Sequence, residues 1–509
     1  MNRALRWLPW SWALLTACSL MPRYQPPPNP APKQYKEIGT AQGCERDQPA
    51  TQTGATDPAR VATAQDLQSR CAWELARPSD RVPRGGDWWR DFGDPTLDAL
   101  ETKIESANPD LAAAADRYQQ AHALALEARS ALFPTVGAVA YTNMDHQSNN
   151  RPLRSASQPD SYHDDLVGAS ASYEFDLWGR VRSAVSAGST AAQAAAADLE
   201  SVRLALHAEL AVDYIALRVE DAQRNLLQQA VDTYGRALEM TSTRLQGGIA
   251  SGLDVAQAQT QLETARANLT DVIQRRALLE HSIAALTGEI ASNFSIPAGN
   301  LELNLPDVPV TMPATLLERR PDVAAAERRM ASYNAQIGVA RAAFFPRITL
   351  AAVAGFESTQ LAGLLSAPNR FWAVGPQGML PVFDAGYRSA VVANARAKLD
   401  EAANGYRGTV LKAFQEVEDA LARRSLLQQE LAQQQAAGAA AERALQVALN
   451  RYQEGAVSYL QVVSEQITAL QAERSALDLR SLQLQGSVDL ARALGGGWQA
   501  DWAVTARTP

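Results

Sequence analysis

Cysteine and histidine are the side chains best suited to chemistry in this chain. Its five histidines are His122, His146, His163, His207 and His281. They are scattered, with no metal-ligand spacing. No nucleophile elbow, phosphate loop or dinucleotide fingerprint occurs. Carboxylates are plentiful, but most lie on long helical stretches, where a solvated face is their ordinary use. The chain therefore reads as a non-enzyme without cofactor or metal, and any energy must come from partners. The net charge is −8 and there is no strongly basic segment, which argues against a nucleic-acid partner.

The three cysteines have two different readings. Arg3 and Arg6 precede a mostly apolar run from Leu8 to Leu15, and Leu15-Thr16-Ala17-Cys18 follows. That order reads as a secretion signal. It also resembles the bacterial lipoprotein signal, in which the cysteine is lipidated and becomes the mature N-terminus. Ser19 in place of aspartate favours the outer membrane. No other apolar run reaches ~18 residues, so no transmembrane helix is expected. Cys44 and Cys71 form an even pair in a polar, secreted segment. They are read as a disulfide or as two free thiols.

The elements that carry the rest are long helices. Val181 to Gln246 contains no proline, is rich in alanine, and places Leu199, Val202, Leu206, Leu210 and Leu217 at helical spacing. Such a helix reaches roughly 100 Å. It opens with Phe175-Asp-Leu-Trp-Gly-Arg180. Roughly 200 residues on, Phe383-Asp-Ala-Gly-Tyr-Arg388 opens a second copy. Each long helix ends in an Arg-x-x-x-Gly turn, at Arg244 and Arg451, and a return helix follows. Upstream, Asn108-Pro-Asp-Leu and Leu132-Phe-Pro134 match Arg320-Pro-Asp-Val and Phe344-Phe-Pro346. Asn108 is expected to cap a helix with Pro109 at its first position.

Each half also offers a pair of strands: Thr135–Thr142 with Leu166–Phe175, and Arg347–Phe356 with Phe371–Val382. A short strand-like piece is expected at Asn300–Leu305. In Leu166–Phe175 one face is apolar and the other small or polar, which suits a barrel with a wet lumen. Open strand edges are not tolerated in lipid, and the smallest barrels have about eight strands. Four strands per chain therefore imply that several chains share one barrel. Hydrophobic content of 46% with aromatics at only 6% suits close-packed helices.

These motifs together resemble the TolC-like outer-membrane efflux proteins, and most of all the lipoprotein branch serving resistance-nodulation-division pumps. The resemblance covers about residues 84–497. It implies a mainly α fold with a membrane β-barrel: a homotrimer with a shared twelve-strand barrel, a long α-helical tunnel and a mixed equatorial belt. It further implies passive export of small molecules such as antibiotics, with a periplasmic adaptor, an inner-membrane pump and outer-membrane lipid as partners. Two other readings are a type I protein-secretion channel and a non-channel envelope scaffold. The expected division is 1–17 signal peptide; 18–83 lipidated tether and polar insert; 84–297 first repeat; 298–320 equatorial connector; 321–497 second repeat; 498–509 tail.

Two sites follow from the resemblance. The strut turns would dock the adaptor, through Gly248, Ile249, Ala250 and Ser251 in one and Gly455, Ala456, Val457 and Ser458 in the other. The periplasmic gate would lie just beyond them. The family's tyrosine, leucine, acidic and basic gate positions fall here on Tyr452, Leu460, Ser464 and Ile467. The charged lock is therefore missing, leaving an apolar constriction at Leu460 and Val463. Asp254 is read either as an acidic ring or as a carboxylate at a helix N-terminus.

Overall fold

The duplication is visible in element lengths. In a computed structural model, residues 19–26, 30–32, 35–36, 73–75, 86–148, 150, 159–306 and 319–497 are described. A two-stranded sheet pairs β1 (Pro30–Pro32) with β2 (Trp73–Leu75). The first half then runs α1 (Pro95–Ala107), α2 (Pro109–Ser130), β3 (Thr135–His146), β4 (Ser161–Phe175), α3 (Arg180–Gln246) and α4 (Gly252–Leu286). The second runs α5 (Pro321–Ala342), β5 (Arg347–Ser358), β6 (Arg370–Met379), α6 (Tyr387–Gln453) and α7 (Tyr459–Ala493). The two struts are both 67 residues, the return helices both 35, and the pre-strand helices both 22. Equal lengths in order establish two structural repeats.

Two compact units cut across these repeats. The first comprises Met1–Pro27, Arg117–Ala196 and Ala325–Tyr406. It holds one antiparallel sheet in the order β3-β4-β5-β6. Strand β3 extends four residues past the expected Thr142, and β4 begins at Ser161 rather than Leu166. The polar segment between them contributes to the ladder because Met144 pairs with His163 and Asp145 with Tyr162. Backbone pairing there does not require apolar side chains. Strand β6 runs from Arg370 to Met379, ending three residues before the expected Val382.

Register sorts the sheet into two faces. One carries Val136, Ala138, Ala140, Val167, Ala169, Ala171, Leu350 and Val374. Tyr173 and Phe175 lie on it at the helix-proximal end, and Phe356 and Trp372 toward the loop end. An apolar band between two aromatic belts is the pattern of a lipid-facing barrel wall. The other face is mixed: it carries Gly137, Asn143, Asp164, Gly168, Ser170, Ser172, Thr349 and Gln377 together with Val139, Tyr141, Leu166, Val353 and Phe371.

The repeated motif closes this sheet against its helices. Asp176 accepts hydrogen bonds from the Val181 and Arg182 amides at 3.0 and 2.9 Å, capping α3. Asp384 accepts from the Gly386 and Arg388 amides at α6. Trp178 donates Nε1–H to the Pro346 carbonyl at 2.9 Å and stacks on Phe345. Residues that follow Cys18 are fixed here too. Tyr24 donates to Glu327 at 2.6 Å, and Asn334 donates to the Pro22 carbonyl at 2.8 Å. Gly179 backs onto Ser19, where a Cβ would lie 3.2 Å from Ser19 Cα.

The second unit comprises Pro28–Asp116, Ala197–Ala324 and Arg407–Pro509. Its core packs Leu97, Ile104, Leu210, Tyr214, Leu217 and Ile283 with Leu484 and Val488 of α7. Asn108 caps α2 as expected, accepting from the Asp110 and Leu111 amides, both at 2.9 Å. Its amide also donates to Leu286 O at 2.8 Å. The equivalent Arg320 donates to Ala493 O at 3.1 Å. Each half thus ties its own return helix by a different side chain. Residues 300–305 form no strand. Instead Leu303 and Ile296 bury into the core, and Arg218, Asp221 and Arg276 bind the connector backbone. The signal segment, Cys18, Cys44, Cys71 and the tail 498–509 lie outside the described residues.

Candidate functional site

At the far end of each strut the chain must reverse within a few residues. After α3, Gly248 adopts φ 73°, and after α6, Gly455 adopts φ 75°. Both are left-handed, a conformation open to glycine at little cost. The turning amides are satisfied locally: Ile249 N–H donates to Arg244 O at 2.9 Å, and Ala456 N–H to Arg451 O at 2.8 Å. The first turn presents Gly248, Ile249 and Ser251 to solvent, with Ala250 half-buried. Ile249 is 72% exposed, a large apolar side chain left open among the described residues. In the second turn Gly455, Ala456 and Ser458 are exposed, while Val457 packs on the adjoining core.

The two readings of Asp254 separate here. Ser251 and Asp254 form a capping box at the start of α4. The Asp254 carboxylate accepts from Ser251 N–H at 2.9 Å, and Ser251 Oγ accepts from Asp254 N–H at 3.2 Å. Asp254 thus serves the helix terminus in this chain, and Ser251 is occupied as well.

Tyr452 does not stand open. It is buried with Tyr459, Val462, Ala448 and Ala258 in a small core at the tips. The two tyrosine rings are 5.4 Å apart. Arg244, from the other hairpin, places its guanidinium 4.7 Å from the centre of the Tyr452 ring. It also donates Nη1–H to Tyr452 O at 3.4 Å. Burial pushes the Tyr459 hydroxyl up to about 12 and raises Tyr452, so neither ring supplies charge. Both hydroxyls, with Gln257 Oε1 and Gln466 Oε1, are buried without a hydrogen-bond partner. Leu460 is 58% exposed and Ser464 and Ile467 are exposed, whereas Val463 packs against the tip core. Leu460 and Val463 therefore do not share one environment.

A groove of about 450 Å³ runs between the end of α6 and the start of α7, lined by Arg443, Val447, Arg451, Val457, Gln461 and Glu465. Sequence reading missed both this groove and the role of Arg244. Arg244 was visible as the head of the first turn motif, matched by Arg451. Its contact with Tyr452 crosses between hairpins and has no local signature.

The outer membrane efflux protein family model matches residues 102–289 and 312–496, one match for each repeat. The chain belongs to this family. It is 33% identical over 486 residues to the toluene efflux pump outer membrane protein TtgF of Pseudomonas putida, covering 95% of each chain. It is 32% identical over 427 residues to the pyoverdine export outer membrane protein OpmQ of Pseudomonas aeruginosa, covering 81% of this chain and 88% of that one. The structure of the outer-membrane channel OprN superposes with a TM-score of 0.78 at 29% identity, covering 88% of this chain and 99% of that chain. This outer-membrane efflux protein is a channel component and not an enzyme. Its membrane element is the four-stranded sheet. Among the described residues no helix is long and apolar enough to cross a membrane.

Proposed function

We propose that three copies of this chain close one twelve-strand barrel and act as the passive outer conduit of a tripartite pump for small molecules. One observation carries the reading. The sheet has a lipid-compatible face, yet β3 and β6 are edges with no partner strand among the described residues. Unpaired backbone groups in hydrocarbon cost several kcal/mol each by general estimate, so the edges must meet those of other copies. Three copies give a strand number within the known range of closed barrels.

The hairpin tips fit a periplasmic adaptor, joined in turn to an inner-membrane pump. Ile249 offers an apolar anchor, and the groove of α6 and α7 offers Arg443, Arg451 and Glu465 around Val447. An adaptor hairpin with an apolar ridge and flanking charges matches that surface. A lipid on Cys18 belongs to the same reading. Ser19, its neighbour, already sits against Gly179 in the turn between β4 and α3, where a lipid chain could enter the membrane. A Cys44–Cys71 disulfide remains part of the proposal.

Deleting the gene should sensitise cells to a set of small toxic compounds, and the purified protein should have the mass of three chains. A mass of one chain in a membrane-like environment, or unchanged sensitivity across a broad panel with no other outer channel present, would overturn the reading.

A further inference from the structure

The core of the second unit contains a buried histidine bound on both sides. His207 of α3 is 3% exposed and Glu101 of α1 is 0% exposed. Imidazole Nδ1 lies 2.6 Å from Glu101 Oε2, and Nε2 lies 3.0 Å from Glu105 Oε1. The ring stacks on Trp89 with centroids 4.4 Å apart. Each of these two contacts needs a hydrogen, and a neutral imidazole carries only one. With both carboxylates ionised and the ring neutral, one contact would set lone pair against lone pair. The geometry therefore requires one proton more than a neutral histidine and two carboxylates supply.

We propose that His207, Glu101 and Glu105 form a proton-binding latch that holds α1 against α3 and loosens as the surroundings turn alkaline. Other charged groups near the site are accounted for. On α1, Asp98 acts on Glu101 and opposes its ionisation. On α3, Arg203 pairs with Glu105 and Glu200 and offsets the charge of Glu105. In the turn bearing Trp89, Arg90 pairs with Asp87. From α2, α4, the connector and α7 the same core receives apolar groups: Leu111, Ile283, Ile296, Leu484 and Val488. The extra proton is thus shared chiefly between His207 and Glu101.

The direction of the pH effect is determined by both groups. Burial pushes the Glu101 carboxyl up to about 7, although His207 pulls it down. Glu101 Oε1 is buried without a partner, which further disfavours the charged form. Burial alone would lower His207, but its hydrogen bonds and charge contacts with Glu101 and Glu105 outweigh that and raise it. Both groups hold protons more tightly folded than unfolded. The stabilisation from His207 is complete below its ordinary value and is lost as pH climbs through its raised one. For Glu101, the cost of ionising the buried carboxyl grows over the interval from its ordinary value to about 7. The two effects have the same sign, so the contact weakens as pH rises through neutrality.

The test is hydrogen exchange of the full-length protein in lipid nanodiscs, corrected for intrinsic rates, at mildly acidic and mildly alkaline pH. Protection of residues 95–107 should fall by about tenfold more than that of α4 across that interval. Glu101→Gln should remove the difference, because an amide can donate to Nδ1 and no extra proton is then needed. The double variant Glu101→Gln/His207→Gln should do the same, since His207→Gln alone leaves the buried Glu101 carboxyl to titrate, and it serves if the first variant fails to assemble. An unchanged α1 in the wild type, or the same pH response in an assembled variant, would refute the latch.

Discussion

Arg244 and Tyr452 join the two hairpins of one chain: the guanidinium lies 4.7 Å from the ring centre and donates to the tyrosine's own carbonyl. A cation–π contact of this kind contributes about 0.5–2 kcal/mol, depending on desolvation. Arg244→Ala should therefore loosen the tips and raise the resting conductance of the reconstituted channel severalfold. Arg244→Lys should do so less, since an ammonium keeps the charge but not the planar fork. Equal resting currents in wild type and Arg244→Ala would remove this contact from the closed state.

Tyr459 gives the opposite effect. Its hydroxyl is buried without a partner, at a general cost of about 1–3 kcal/mol. Tyr459→Phe keeps the ring contact with Tyr452 and removes the unpaired group. The variant should open less often and melt at a higher temperature. A destabilised Tyr459→Phe would mean that the hydroxyl finds a partner in the assembled channel.

Leu460 is the exposed apolar side chain at the start of α7, one residue beyond Tyr459. If apolar side chains narrow the tunnel there, dewetting restricts ion flow. Leu460→Ser should raise conductance and sensitise cells to large antibiotics, while Ser464→Ala should change little. An equal effect of both substitutions would transfer the constriction to a polar ring at Ser464.

Adaptor docking is best probed away from the turn glycines. Gly248 and Gly455 have positive φ, so a tryptophan at either strains the backbone as well as blocking a partner. Ile249→Asp and Ala456→Trp avoid that ambiguity, because both side chains already point into solvent or the turn surface. Each should reduce efflux at least tenfold, by the general cost of disrupting an interface anchor, while the level of assembled channel stays normal. Full efflux from both would place the partner elsewhere.

Lipid attachment is checked by metabolic labelling. Wild type should incorporate labelled palmitate and fractionate with outer membrane, and Cys18→Ala should lose the label. A single acyl chain binds only marginally and several anchor firmly, but the barrel anchors the protein as well, so some efflux should survive in the variant. Absence of label from wild type would exclude the modification.

The sequence by itself determined the repeat, the helices and the strand pairs. Proline-free, alanine-rich runs permit only long helices, alternation marks strands by a period of two, and duplication makes every signal appear twice. Asn108 as a cap was equally legible, because capping is local to a few residues. Tertiary structure decided what local rules do not encode. The strands extend through Met144 and His163 because pairing with a neighbour, not side-chain polarity, sets their ends. The piece at 300–305 is irregular because Arg218, Arg276 and Asp221 satisfy the connector's backbone and Leu303 buries in a core made elsewhere. Tyr452 became a buried partner of Arg244, and His207 met Glu101 and Glu105 across about a hundred positions of sequence. Such contacts depend on which helix faces meet, and only packing of the whole chain fixes that.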